Sequence, residues 1–212
     1  MKIMRKTLSD QLYESLKQDI VTHKIHFGEK LVNRELQQKY SVSSTPVRDA
    51  INRLYLDGLL ENINNAGAKV INFDLKFILD VNEVISLLCC ASVEKAAERA
   101  EHGKICRSLE EAIKKQKNIK NPEEYYPFDR HFHEIFFDYC DNSQFKASYD
   151  RYHVLWEMLV RYFHNFQDNQ KKSIEQHQMI YNAFSNKEFE KAVELTKSHF
   201  SEAETLFKEH VN

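Results

Sequence analysis

The chain has 212 residues, 42% of them apolar, and its 30 lysines and arginines stand against 32 aspartates and glutamates for a formal net charge of −2. That length accommodates two domains, each large enough for its own core, and the near-balanced charge excludes a polybasic tail or a wholly basic chain. Only four glycines and three prolines, with little β-branched clustering after residue 75, exclude a β-rich fold and point to a mainly α protein.

In chain order, Thr7 to Thr22 carries Leu8, Leu12, Leu16 and Ile20 at four-residue spacing, the signature of a first helix. His26-Phe27-Gly28-Glu29 makes a turn, and Asn33 is positioned to cap a short helix from Arg34 to Tyr40. A third helix follows in VSSTPVRDAINRLYLDGLL, residues 42–60: Ser43 is the expected N-cap, Pro46 falls in the first turn, and Gly58 supplies the stop. Val47, Ile51, Leu54 and Tyr55 form its apolar stripe, while Thr45, Arg48, Asn52 and Arg53 lie on other faces, where a recognition helix meets DNA. Three helices in about fifty residues are the size of a helix-turn-helix core. Two short strands are predicted next, Glu61 to Ile63 and Ala68 to Phe73, separated by the turn-rich tip Asn64-Asn65-Ala66-Gly67, which makes the motif a winged one. Residues 1–73 hold eleven lysines and arginines against eight carboxylates, so this segment is at +3, a mild electrostatic preference for DNA. The competing reading is a small helical subdomain whose arginines are merely solvated.

No Gly/Ser/Pro-rich linker separates residues 1–74 from the helical pattern that begins near Leu75. Helices are expected at about 75–102, 104–118, 122–141, 143–168, 170–185 and 187–210, a bundle spanning residues 75–212. Asp129 and His133 sit four residues apart in FDRHFHEIFF, so both side chains leave one helix face a turn apart. His177 lies among Ile174, Ile180 and Tyr181, and His199 lies close to Leu195 and Phe200, so both face inward. A carboxylate with three imidazoles suits a divalent cation, zinc first, with nickel, manganese or iron as alternatives, and leaves coordination positions open to water or a ligand. Taken singly, each of these histidines reads as a satisfied core residue; His131, His153 and His164 accumulate in the same region without a pattern.

Residues 8–73 resemble the N-terminal domain of the GntR family of bacterial regulators: Leu31, Glu35-Leu36, Val42-Ser43, Thr45-Pro46-Val47-Arg48, Ala50, Leu54, Gly58-Leu59 and Gly67 stand where that pattern expects them. The resemblance implies that Arg34, Ser43, Thr45, Arg48 and Gly67 approach operator DNA, with Ser44 and Asn52 on the same surface. Ser44 departs from the pattern, which has arginine there, so the operator sequence does not carry over. Residues 77–207 resemble the all-helical FCD effector domain of the FadR-like subfamily. Asp129, Phe132-His133, Glu175-Gln176-His177 and His199 match its metal-binding members in kind, order and approximate spacing. What this implies is a homodimeric transcriptional repressor whose operator affinity responds to a small effector, a carboxylate, held with the aid of the cation. The first long helix of that domain commonly bears an arginine that meets the effector; here Ile85 stands at that place, with Asn82, Glu83 and Ser86 as neighbouring pocket candidates. Arg130, Arg151 and Arg161 are potential substitutes, each expected on a solvated helix face.

No apolar run reaches membrane-spanning length and the N-terminus lacks the apolar core of a signal peptide, so the expected location is the cytoplasm, with no membrane partner. Cys89, Cys90, Cys106 and Cys140 lack metal-finger spacing, and adjacent Cys89-Cys90 are expected to pack as small hydrophobes rather than form disulfides. A metal-dependent hydrolase is the competing functional class, but the chain has no HExxH, no His-Asp dyad and no general base beside the cluster, so the expectation is that it is not an enzyme. A regulator with a purely structural metal is the third reading.

Overall fold

The computed structural model describes residues 6–163 and 166–210. The chain divides into two units: one of residues up to Asp74 together with Glu157–Tyr162, the other of Leu75–Trp156 with the chain from Phe163 onward. Helical periodicity had placed all of 75–212 in the second unit, because a repeat identifies an element and says nothing of which core it joins.

The first unit contains α1 (Leu8–Val21), β1 (Lys30–Val32), α2 (Asn33–Tyr40), α3 (Ser44–Leu56), β2 (Leu60–Asn64) and β3 (Gly67–Val70). Thr7 opens α1 with a reciprocal capping box, its hydroxyl accepting from Asp10 N while the Asp10 carboxylate accepts from Thr7 N. Leu12, Leu16 and Ile20 are buried as the spacing requires, but Leu8 is exposed and Tyr13 and Val21 join the core instead. On α3 the buried stripe is Val47, Ala50, Ile51 and Leu54. Tyr55, expected in that stripe, is turned outward, because the 100° step per residue carries the position after Leu54 off the core face. The two helices are tied along their length by Arg53 Nη1 donating to Asp10 Oδ1 at 2.8 Å, Tyr13 Oη donating to Asp57 Oδ2 at 2.5 Å, and Ser9 donating to Asp49.

Two details of the helix-turn-helix differ from expectation. Ser43 does occupy the N-cap of α3 in extended backbone, yet its side chain makes no capping bond. Asn33 does not cap α2; Val32 holds that position and Asn33 is the first helical residue, buried, because its side chain is spent on the wing. Gly58 ends α3 at φ +81°, a left-handed conformation that costs glycine nothing. The wing is a three-stranded antiparallel sheet of order β1-β3-β2, with Lys30 opposite Lys69 and Leu31 opposite Ala68 on one side, and Leu60 opposite Val70 on the other. Strand β1 was not predicted, since three residues between a turn and a helix are too few to show alternation.

The second unit contains α4 (Leu75–Ala97), α5 (His102–Lys117), a 3-10 turn (Pro122–Glu124), α6 (Tyr125–Tyr139), α7 (Ser143–Phe163) apart from its Glu157–Tyr162 stretch, α8 (Phe166–Ser185) and α9 (Phe189–His210). Helix α4 packs against α6 and α9, α5 against α6 and α8, and α8 against α9. The core drawn from α4, α5, α6, α8 and α9 includes Val93, Leu109, Phe132, Phe136, Ile180 and Phe184; each buried phenylalanine contributes roughly 1.5–3 kcal/mol. The break expected at His102-Gly103 lies before it, both residues opening α5. The break expected at Gln167-Asp168-Asn169 is inside α8, and His164 lies outside the described residues. Cys89 and Cys140 are buried, Cys90 and Cys106 half-buried, and all four are free thiols.

Gly67 sets a close backbone approach in the wing. Its φ is +154°, and a Cβ there would lie 1.9 Å from the Leu31 carbonyl oxygen across the β1–β3 pair. Gly67→Ala is therefore expected to destabilise the first unit by roughly 2–4 kcal/mol, read as a lower denaturation midpoint by chemical unfolding; an unchanged midpoint contradicts the crowding.

Candidate DNA-binding surface and metal centre

Helix α3 presents one polar surface. Ser43, Ser44, Thr45, Arg48 and Asn52 are all exposed, and Arg34 is exposed on α2 beside them. Val32, Arg34, Gln37, Ser44, Arg48 and Ala66 line a cleft of about 450 Å³ that joins α2, α3 and the wing tip. Arg53, expected to share this surface, is committed elsewhere: it pairs with Asp10, and its guanidinium carbon lies 3.9 Å from the centre of the Tyr13 ring. Gly67, the first residue of β3 beside the turn, is buried against β1, so the exposed part of the tip is Asn64, Asn65 and Ala66.

In the second unit the fold brings together four residues from three helices, α6, α8 and α9. His133 on α6, His177 on α8 and His199 on α9 place ring nitrogens within 4.8 Å of one another. Asp129, one turn before His133, sets Oδ1 at 3.6 Å from His177 Nε2. His133 and His177 are buried and His199 is partly so. Phe132 stacks on His177 with ring centres 4.1 Å apart, and Phe200 packs beside His133 and His199.

The hydrogen-bond network fixes which nitrogen of His177 is a lone pair. Gln116 on α5 donates its amide N–H to Phe128 O at 3.1 Å, so its oxygen is the atom 3.0 Å from His177 Nδ1. Nδ1 therefore carries the proton and Nε2 does not. Buried, with no hydrogen-bond partner, Nε2 faces the Asp129 carboxylate, and two acceptors brought together call for a shared cation. His199 repeats the arrangement, its Nδ1 lying 2.7 Å from Gln176 Oε1. Tyr125 anchors Asp129, its phenol donating to Oδ1 and accepting from Ser173, each at 2.7 Å.

Burial holds these imidazoles neutral. Desolvation, followed by the neighbouring rings, pushes His133 and His177 well below the ordinary histidine value. Desolvation likewise lowers His199 to about 4, against a small opposing effect of Glu202. Three neutral nitrogens and one carboxylate form a donor set that fits a divalent cation of the zinc or nickel type.

The expected pocket residues are scattered. Asn82 is buried on α4, donating Nδ2 to Phe200 O at 3.2 Å, while its Oδ1 is buried without a hydrogen-bond partner. Ser86 is half-buried and bonds Cys90. Glu83 is exposed, since α4 turns that position away from the core that buries Asn82 and Ile85. Arg130 is drawn into ion pairs with Glu134 and Asp150 rather than left solvated. Arg161 pairs with Glu157 through a largely buried side chain, and Arg151 is exposed. His153, which carries no sequence pattern, is buried on α7 against Tyr149 and near enough to His133 to lower its pKa.

Two family models cover most of the sequence. "Bacterial regulatory proteins, gntR family" matches residues 8–70 and "FCD domain" matches residues 80–202, more than half of the chain. This chain belongs to the GntR family. Its FCD domain fits the FadR-like subfamily. As a GntR regulator it is similar to the uncharacterized HTH-type transcriptional regulator YdhC of Bacillus subtilis, 24% identical over 90% of this chain and 87% of that one. It is 25% identical to the HTH-type transcriptional repressor RspR of Escherichia coli K12 over 63% of this chain and 60% of that protein. The crystal structure of a GntR transcriptional regulator from Rhodococcus sp. RHA1 shares the fold with a TM-score of 0.78 at 17% identity, over 96% of this chain and 99% of the other. The protein is a DNA-binding transcriptional regulator and not an enzyme, which sets the hydrolase reading aside. No helix among the described residues is long and apolar enough to cross a membrane.

For these histidines the folded value lies below the unfolded one near 6.5, so the unfolded chain binds more protons and stability rises with pH. In chelator-treated protein the stabilisation is complete above about 6.5 and is lost as pH falls towards 4; His199 alone accounts for up to about 3 kcal/mol. Thermal midpoints measured from pH 8 to 4 are expected to drop across that window, and less steeply for His199→Gln; superimposable profiles contradict the buried neutral imidazole.

Proposed function

We propose that this GntR regulator is a homodimeric, cytoplasmic repressor that binds operator DNA through α2, α3 and the wing, and that it senses a small carboxylate at a divalent metal held by Asp129, His133, His177 and His199. The observation that carries the sensing half is the buried, partnerless His177 Nε2 facing Asp129 beside two further imidazoles. Zinc is the first choice for three nitrogens and one carboxylate oxygen, with nickel, manganese or iron as alternatives.

The effector class follows from charge. Neutral imidazoles and a single aspartate leave a divalent cation with one uncompensated positive charge in a buried site, an expensive condition that an anionic ligand relieves. A bound cation supplies open coordination positions to such a ligand. Gln116, Gln176, Tyr125 and Ser173 then act by orienting the ligating side chains, and Phe132 and Phe200 keep water away from them. Two recognition helices displayed by a symmetric dimer match half-sites about one DNA turn apart. Preferential binding of effector to one dimer arrangement, by a coupling of roughly 1–3 kcal/mol, changes operator affinity about 5- to 150-fold.

A second reading, a structural metal without an effector, is favoured by Ile85, which is fully buried where an effector-binding arginine would stand.

Elemental mass spectrometry of freshly purified protein is expected to find close to one divalent metal per chain in the wild type and little in an Asp129→Ala, His133→Ala double variant; metal-free wild type overturns the site. Small carboxylates such as sugar acids, organic acids and amino acids are expected to raise the thermal midpoint of the metal-loaded protein and to leave the stripped protein unchanged. A shift that survives removal of the metal places the carboxylate elsewhere, and no shift across the panel favours the structural reading.

A further inference from the structure

The wing tip reaches back to the recognition helix through one side chain. Arg48 Nη2 donates to Asn65 Oδ1 at 2.8 Å, over a separation of 17 residues. Asn65 is itself held: its carbonyl accepts from Asn33 Nδ2 at 2.9 Å, and the adjoining Ala66 carbonyl accepts from Asn33 N at 2.8 Å. Asn33 is only 8% exposed, so this tether is anchored in the body of the unit rather than on its surface. On the other side of the tip, Asn64 Oδ1 accepts from Ala66 N at 2.8 Å and Gly67 N at 3.2 Å, closing the turn. The main chain of Asn65 is thus held at both ends of the tip, and its side-chain oxygen is presented to α3 from a fixed backbone.

We propose that Asn65 is the specificity-positioning residue of the DNA-binding surface, holding the guanidinium of Arg48 in the plane from which it reads a base edge. The proposal rests on Arg48 belonging to that surface. A free arginine has four flexible side-chain torsions and reaches phosphates and bases alike; one with Nη2 committed keeps its remaining donors in a defined direction. Bidentate reading of a guanine edge needs just that, two parallel N–H groups in one plane. The partner's chemistry matters as well. Arg53, on the same helix, is held by the Asp10 carboxylate and by Tyr13, so its charge is matched within the protein. Asn65 is neutral, so Arg48 is oriented without being neutralised and keeps its attraction for DNA.

The test uses full-length protein and a duplex selected by the wild type from a random double-stranded pool, together with every single-base-pair variant of that duplex, each titrated at two salt concentrations. Arg48→Ala is expected to flatten discrimination at one base pair per half-site by roughly 5-fold or more. Asn65→Ala is expected to flatten the same position by at least about 3-fold with its salt slope and melting temperature unchanged, and the double variant to be no flatter than Arg48→Ala alone. Asn65→Asp, which keeps the acceptor, is expected to retain the discrimination while binding every duplex more weakly. Unaltered binding by Arg48→Ala overturns the assignment of Arg48 and the proposal with it. A flattened Arg48→Ala alongside an Asn65→Ala that discriminates normally, or that loses affinity for all duplexes equally, overturns the role of Asn65 alone.

Discussion

The hydrogen bond between His177 Nδ1 and the side-chain oxygen of Gln116, 3.0 Å long, decides what the interior of the helical unit can do. With the proton fixed on Nδ1, the other nitrogen is a lone pair, and burial denies it water. Desolvation also blocks the alternative of protonation, keeping the ring neutral. Around that constraint stand Asp129, itself pinned by Tyr125, and two more neutral imidazoles. Such a cluster is poorly satisfied as protein alone, and buried groups left in that condition weaken a core unless something they bind repays them.

The DNA-binding unit meets a related problem at its surface. Three helices and a small sheet can bury only a limited apolar area, so ties between elements carry much of the definition: Asp10 to Arg53, Tyr13 to Asp57, Asn33 to the wing. Each tie also removes a polar side chain from the set that can meet DNA. Arg53 is the clearest instance, a residue on the recognition helix whose charge and planar face are both used against α1.

Much of this was legible in the sequence. The α3 segment could be placed because cap, first-turn proline, apolar stripe and terminal glycine all agree, and local agreement of that kind needs no tertiary information. Asp129 and His133 could be paired because helical geometry alone puts them on one face. His177 and His199 could be placed on inward faces from their apolar neighbours, but it took the resemblance to set them apart as ligand candidates, since nothing in their local pattern separates a ligand from a core histidine. What stayed hidden depended on long-range contact: Gln116 is 61 residues from His177, and Gln176, next in chain to His177, turns out to orient His199. Tyr125 alone left a local trace, being one helical turn from Asp129. The misassigned positions have physical causes too. Leu8 keeps the helical period at a place the neighbouring core does not reach, Tyr55 and Glu83 lie a step of about 100° off the buried face beside Leu54 and Asn82, and Asn33 looked like a cap because its wing partner is 32 residues away.

The two sites share a device, the use of a neutral amide where a carboxylate is the commoner orienting partner. Against Arg48 a carboxylate would fix the guanidinium equally well and match its charge, leaving less for phosphates and bases; Asn65 fixes it and leaves the charge standing. Against His177 a carboxylate would favour imidazolium and bury a second anion beside Asp129, raising the negative charge around any cation held there; Gln116 sets the tautomer and adds no charge. In each case the amide separates orientation from neutralisation. For an arginine on the DNA-binding surface, and for the proposed cation and its anionic ligand, the first without the second is the useful combination, which is the role proposed for asparagine and glutamine at these positions.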